Sequence, residues 1–177
     1  MRPTAAERVA SLPGDDLVNP ADVTMDRAFT LDAAPDQVWP WLVQLGKRRA
    51  GWYLPASVER LVPARRRALR HLDPELLQHR VGDVIPDWGG QDATFTVAEI
   101  ESERHLVYTS TRGRTQLTWV LHLTPVGTDG EGGTGTRVHL RLRLAPVRHR
   151  GLAEVGGGFF DLLTIAGLAA GLRERLR

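Results

Sequence analysis

The sequence predicts an α+β domain in which an antiparallel β-sheet packs on one long apolar helix. Three observations carry this. Apolar and polar residues alternate through the second half of the chain, two short helical patterns come before them, and a long apolar stretch ends the chain. With 177 residues, 42% hydrophobic and 25% charged, the composition suits one globular domain. The chain has no Cys, which excludes disulfides, thiolate metal sites and cysteine nucleophiles. Lys+Arg 23 against Asp+Glu 21 leave +2, too little to make the whole molecule a polyanion binder. Met1 to Asp16 lacks the basic-then-apolar run of a secretory signal, and a cytoplasmic setting is expected.

Residues 1–24 carry Pro3, Pro13, Gly14 and Pro20 and read as a lead-in that drapes over the body or stays mobile. A single domain is expected over 25–177. Its first strand starts at Met25, with Phe29 and Leu31 inward. Ala34-Pro35-Asp36-Gln37 opens a helix, because proline suits the first helical position and Asp36 suits the positive dipole end. Val38, Trp41 and Leu45 form its apolar stripe, Pro40 should kink or restart it, and Gly46 closes it. A second short helix is expected from Pro55 to Val62, with Val58, Leu61 and Val62 inward and Pro63 as its stop. A weaker helical pattern follows from Arg65 to Leu77.

From Val81 the period becomes two. Strands are expected at Val81–Pro86, Thr94–Ile100, Arg104–Ser110, Thr115–Leu123 and Thr136–Leu144. The last two show one clean apolar face each: Leu117, Trp119, Leu121 and Leu123, then Val138, Leu140, Leu142 and Leu144. Between them, Gly127 to Gly135 holds five glycines and reads as a hairpin tip. Val155 to Leu172 is a long helix. Its 18 residues reach the lower edge of a membrane span, but five glycines, Asp161 and a one-sided sheet in need of cover favour a buried helix.

The order of elements resembles the helix-grip fold of the START/Bet v 1-like superfamily, also called SRPBCC or polyketide cyclase/dehydrase-like. The residues that carry the likeness begin with Phe29-Thr30-Leu31 and Ala34 to Leu42. They continue through Gly51-Trp52-Tyr53, Val81 to Pro86, Val97 to Ile100 with Arg104 to Tyr108, Trp119, and Val138 to Leu144. The resemblance, closest to actinobacterial members, implies a curved antiparallel sheet wrapped around the C-terminal helix. A cavity for lipids, sterols, polyketides or other apolar ligands would lie between them. Some members of the superfamily catalyse cyclisation, dehydration or hydrolysis; the resemblance carries over no catalytic motif.

Expected cavity walls are Trp52, Tyr53, Phe95, Trp119, Phe159 and Leu163, since aromatic and branched side chains line apolar sites. Trp88 is a further aromatic in a loop. Asp83, Asp87 and His105 are the candidates for moving protons if the cavity hosts a reaction; turn chemistry is the competing explanation for the aspartates, Asp92 included. Asp161, inside the apolar helix, is read as a first-turn residue favoured by the helix dipole. His105, His122 and His139 recur 17 residues apart and would suit solvated strand positions better than zinc. Gly156-Gly157-Gly158 fits neither a P-loop nor GxGxxG, and no GxSxG occurs. No metal and no cofactor is expected. Lys47-Arg48-Arg49 and Arg65-Arg66-Arg67, with Arg70 and His71, come without any RNA- or DNA-reading motif, so nucleic acid is not expected; a transient membrane-surface contact is. Three functions stay open: binding of a small hydrophobic or amphipathic molecule, a polyketide cyclase, dehydratase or hydrolase in the same cavity, and peripheral membrane attachment through the C-terminal helix.

Overall fold

A computed structural model describes residues 2–88, 92–127, 134–147 and 158–177, with side chains of the last stretch described from Thr164. The elements run α1 (Ala5–Val9), β1 (Val23–Leu31), α2 (Pro35–Gln44), α3 (Ala56–Glu59), β2 (Val84–Pro86), β3 (Thr94–Glu101), β4 (His105–Arg112), β5 (Thr115–Gly127), β6 (Thr134–Ala145) and α4 (Gly158–Arg175). The strands form one antiparallel sheet in the order β1-β6-β5-β4-β3-β2, curved around α4.

The alternation read in the sequence decides the two faces. Phe29, Leu31, Leu106, Leu121, Val138 and Leu140 point inward and are buried with Val38, Trp41, Leu42 and Leu45 of α2 and Leu168 and Leu172 of α4. α2 begins without a side-chain N-cap on Ala34; instead the Ala34 N–H donates to Gln37 Oε1 at 3.1 Å. It runs through Pro40 as one helix, so of the kink or restart expected there the restart does not occur. Pro40 removes the N–H that would bond the Asp36 carbonyl and crowds that carbonyl, but its fixed φ is already helical and the loss falls in the first turns.

Three further expectations are corrected. Val58 and Leu61 do not face inward: they are 42% and 86% exposed. The inward residue of α3 is Glu59, drawn in to meet Arg175, so a buried ion pair overrides the apolar pattern. Arg65 to Leu77 is not a helix but two 3₁₀ turns, Ala64–Arg66 and Pro74–Leu76, each started by a proline-containing break. The strand expected from Val81 starts only at Val84, because Gly82 takes a left-handed φ of 94° that interrupts extended backbone.

The lead-in lies against the outer face of the sheet. Leu12 packs on Val107 and Val120, and α1 is closed by a capping box in which Thr4 Oγ1 accepts from Glu7 N at 3.1 Å. The fastening is Arg141, 2% exposed. Its guanidinium donates to Asp26 Oδ1 at 2.8 Å, to Asp15 Oδ2 at 2.7 Å, and to the carbonyls of Glu7, Arg8 and Ala10. Burial alone would raise the Asp26 carboxyl, but hydrogen bonds from His139 and Arg141 outweigh it and hold it below the usual range.

Arg141→Met should cost about 3 kcal/mol in urea unfolding, because Asp15 and Asp26 are left without their buried cation, and should open residues 2–22 to proteolysis. A lead-in cut no faster than in the parent would contradict this. The Arg137 hydrogen bonds hold Glu7 at about 2, below its usual 4.5. Because the folded value is the lower one, this stabilisation is present above about pH 4.5 and lost as the pH falls toward 2. Stability measured across that window should slope less in Glu7→Gln.

Candidate functional site

A tight loop sets up the site. Gly46 and Gly51 pair as an isolated antiparallel bridge, and glycine suits position 51 on two counts: its φ is 83°, and a Cβ there would come 3.0 Å from the Ala68 Cα. The turn sends Trp52 toward the sheet, where its Nε1 donates to the Thr164 carbonyl of α4 at 3.1 Å. The chain then runs along α4. Leu54 faces Gly167, and the Tyr53 backbone lies so close to Gly171 that a Cβ there would stand 2.6 Å from the Tyr53 carbonyl carbon. Ala56 N donates to Glu174 at 2.8 Å.

At the far end the Arg175 side chain is buried. It donates to Glu59 at 2.6 Å and to the carbonyls of Leu69, Leu54 and Gly171, and its guanidinium lies 4.6 Å over the Tyr53 ring. Burial would raise the Glu59 carboxyl, but the Arg175 and Arg70 hydrogen bonds bring it below its ordinary value.

Between this clamped helix and the sheet lies a cavity of about 400 Å³. Trp52, Phe95, Trp119, Ile85, Leu142 and Ile165 form its apolar walls. The rings make a continuous array: Trp52 stacks on Trp119 at 6.3 Å and 24°, Phe95 meets Trp119 at 5.8 Å, and Trp88 stands edge-on to Trp52 at 5.6 Å. Tyr108 stacks behind Trp119 at 5.7 Å. Behind Tyr108, His79 is held neutral: burial and the nearby Arg49 both lower its pKa, and its side chain is 1% exposed.

Among the described residues of the wall, Asp87 is the charged one. It is 8% exposed, accepts from Arg112 Nη2 through one oxygen and from Trp88 N through the other at 2.6 Å, and its carbonyl accepts from Lys47 Nζ at 2.8 Å. Arg112 also lies 5.6 Å from the Phe95 ring centre. A carboxylate oxygen held this way can also accept from a ligand O–H or N–H.

Of the expected walls, Trp52, Phe95 and Trp119 line the cavity. Tyr53 does not: it is buried beside it, its hydroxyl donating to the Trp41 carbonyl at 2.9 Å. The side chains of Phe159, Leu163 and Asp161 lie outside the described residues, as do Gly156 and Gly157. Asp83, Asp87 and His105 are not brought together. Asp83 closes a turn by accepting from Arg80 N at 2.8 Å, and His105 is on the outer face, 2.7 Å from Glu99. Residues the sequence reading passed over are Ile85, Leu142, Ile165, Lys47 and Arg112. The first two stand on expected strands, where their alternation could have found them; nothing in the local sequence marks the two cations. Among the described residues no three His, Asp or Glu side chains converge as metal ligands.

No family model and no curated protein matches the chain. Solved structures do. Protein MLL2253 from Mesorhizobium loti aligns at 19% identity and TM-score 0.50, over 86% of this chain and 98% of that one. Protein CV1439 from Chromobacterium violaceum aligns at 15% and 0.52, over 87% and 99%. XoxI from Bacillus cereus aligns at 11% and 0.51, over 87% and 95%. The chain has the helix-grip fold. No helix among the described residues is long and apolar enough to cross a membrane.

Gly171→Ala should destabilise the protein by about 1–3 kcal/mol in thermal or urea unfolding, since neither the Tyr53 backbone nor α4 can yield without loosening the clamp. An unchanged unfolding midpoint would show that α4 is not held at this point.

Proposed function

We propose that the protein binds a small hydrophobic or amphipathic molecule, lipid- or polyketide-like, in the cavity between the sheet and α4. The observation that carries the proposal is the aromatic wall of Trp52, Phe95 and Trp119 around about 400 Å³, with a tethered carboxylate, Asp87, on its surface. Apolar burial supplies the driving force: a two- or three-ring molecule that hides roughly 200 Å² of its surface gains about 5 kcal/mol, enough for sub-millimolar affinity. Asp87 supplies orientation. A cyclase, dehydratase or hydrolase in the same cavity would have Asp87 as its candidate among the described wall residues. Both carboxylate oxygens already accept hydrogen bonds there, which favours binding over proton transfer. Residues 25–177 are read as the binding domain of a cytoplasmic protein, 1–24 as its lead-in. A transient membrane-surface contact during ligand exchange belongs to the same reading.

The test is titration with the neutral fluorophore 1-aminoanthracene. Trp119→Ala should weaken its binding about threefold to tenfold, the worth of one aromatic contact. Tyr53→Phe should leave the affinity unchanged, because Tyr53 is not on the cavity wall. Equal affinity in a folded Trp119→Ala protein, or no binding by the parent, would remove the proposal.

A further inference from the structure

We propose that the corner formed by α3 and the segment after it, residues 58–67, is a preformed docking surface for an anionic lipid bilayer. This deepens the membrane contact included in the functional reading and gives it a location; it does not depend on what fills the cavity. Between Ala56 and His71 the chain carries five arginines, Arg60, Arg65, Arg66, Arg67 and Arg70, against one acid, in a protein whose net charge is only +2. The acid is Glu59, which is buried, its oxygens taken by Arg175 and Arg70. Arg60, Arg65, Arg66 and Arg67 are all exposed, and among the described residues none of them is paired with a carboxylate. The cationic side of this corner is therefore uncompensated locally.

Charge alone would describe any polyanion site. What selects a bilayer is the apolar component. Leu61 is 86% exposed and Val58 42%, on the same turn as Arg60, where the turn bonds Leu61 N to Val58 O and Val62 N to Glu59 O hold them. A leucine projecting among arginines gains nothing from a phosphodiester backbone. At a lipid surface it enters the acyl boundary while the guanidiniums stay at the phosphates. The segment has no aromatic residue on which a base could stack.

The corner is also stiff before any contact. Arg67 donates to the carbonyls of Val62 and Arg60 at 2.9 and 3.3 Å, tying the turn to itself. Below it, Arg70 bridges Glu59 and Glu174 and joins α3 to the end of α4. The same segment returns to the cavity loop, where Leu69 N donates to the Ala50 carbonyl at 2.8 Å, two residues before Trp52.

The experiment is sedimentation of the whole chain with vesicles of phosphatidylcholine alone and of phosphatidylcholine with 30% phosphatidylglycerol, at low and at 0.5 M salt. Binding is expected to the anionic vesicles only, and to fall in high salt. Arg65→Gln/Arg66→Gln should weaken it about thirtyfold, and Leu61→Ser about tenfold, with unfolding midpoints unchanged because all three side chains are exposed. No binding to either vesicle overturns the proposal, as does binding that both variants retain. A duplex DNA oligonucleotide bound more tightly than the anionic vesicles, with Leu61→Ser without effect, would also overturn it and leave a general polyanion patch. Loss of 1-aminoanthracene binding with vesicle binding intact would remove the cavity reading alone.

Discussion

Everything in the site depends on how the extended segment Trp52 to Ala56 is clamped to α4. It is bound at one end by the Trp52 indole on the Thr164 carbonyl and at the other by Glu174 and the buried Arg175. Between those points the helix has no room for a Cβ at Gly171, where the Tyr53 backbone would stand 2.6 Å away, while at Gly167 a Cβ would meet the tip of the Leu54 side chain. The clamp takes up one side of α4 and leaves the side toward β4–β6 to be covered by large aromatic rings. The rings pack against one another, and the cavity lies between them and the clamped helix.

The opposite face of the sheet solves a different problem. A sheet face rich in Arg137, His139, Arg141 and Arg143 would be a row of like charges if left open to water. The lead-in answers it with Glu7 and Asp15 and with backbone carbonyls, and β1 with Asp26. The three histidines spaced 17 apart belong to this face. Strand register sets His105 opposite His122 and His122 opposite His139, so the regular spacing is that of consecutive hairpins. His105 is bonded to Glu99 and His139 to Asp26, while His122 between them is kept neutral by burial and by its two neighbours. They form a packed polar layer on the outside.

The fold was legible because it is written in periodicity. Leu117 to Leu123 and Val138 to Leu144 alternate without error, and a single residue of slip would have turned every one of them outward. The walls Trp52, Phe95 and Trp119 were legible for another reason, the size and apolar character of their rings. What escaped is what depends on long-range pairing. Glu59 turns α3 inside out because its partner Arg175 is 116 residues away, and no local pattern announces that. Arg112 and Asp87 meet across two strands in the same way. Tyr53 looked like a wall by adjacency to Trp52, yet neighbouring residues in extended backbone point to opposite sides. The lead-in was read as a cover or a loose end because its ordering contact, Arg141, lies in the last strand.

The most direct test of a preformed cavity walled by these rings is fluorine NMR of protein labelled with 5-fluorotryptophan. The chain has five tryptophans, and single Trp→Phe variants would assign them. On addition of 1-aminoanthracene, the Trp52 and Trp119 resonances should move together, Trp88 with them, while Trp39 and Trp41 in the helix α2 stay in place. Shifts at Trp39 or Trp41 with Trp52 and Trp119 unmoved would put the ligand elsewhere and contradict the cavity between sheet and helix as the binding site.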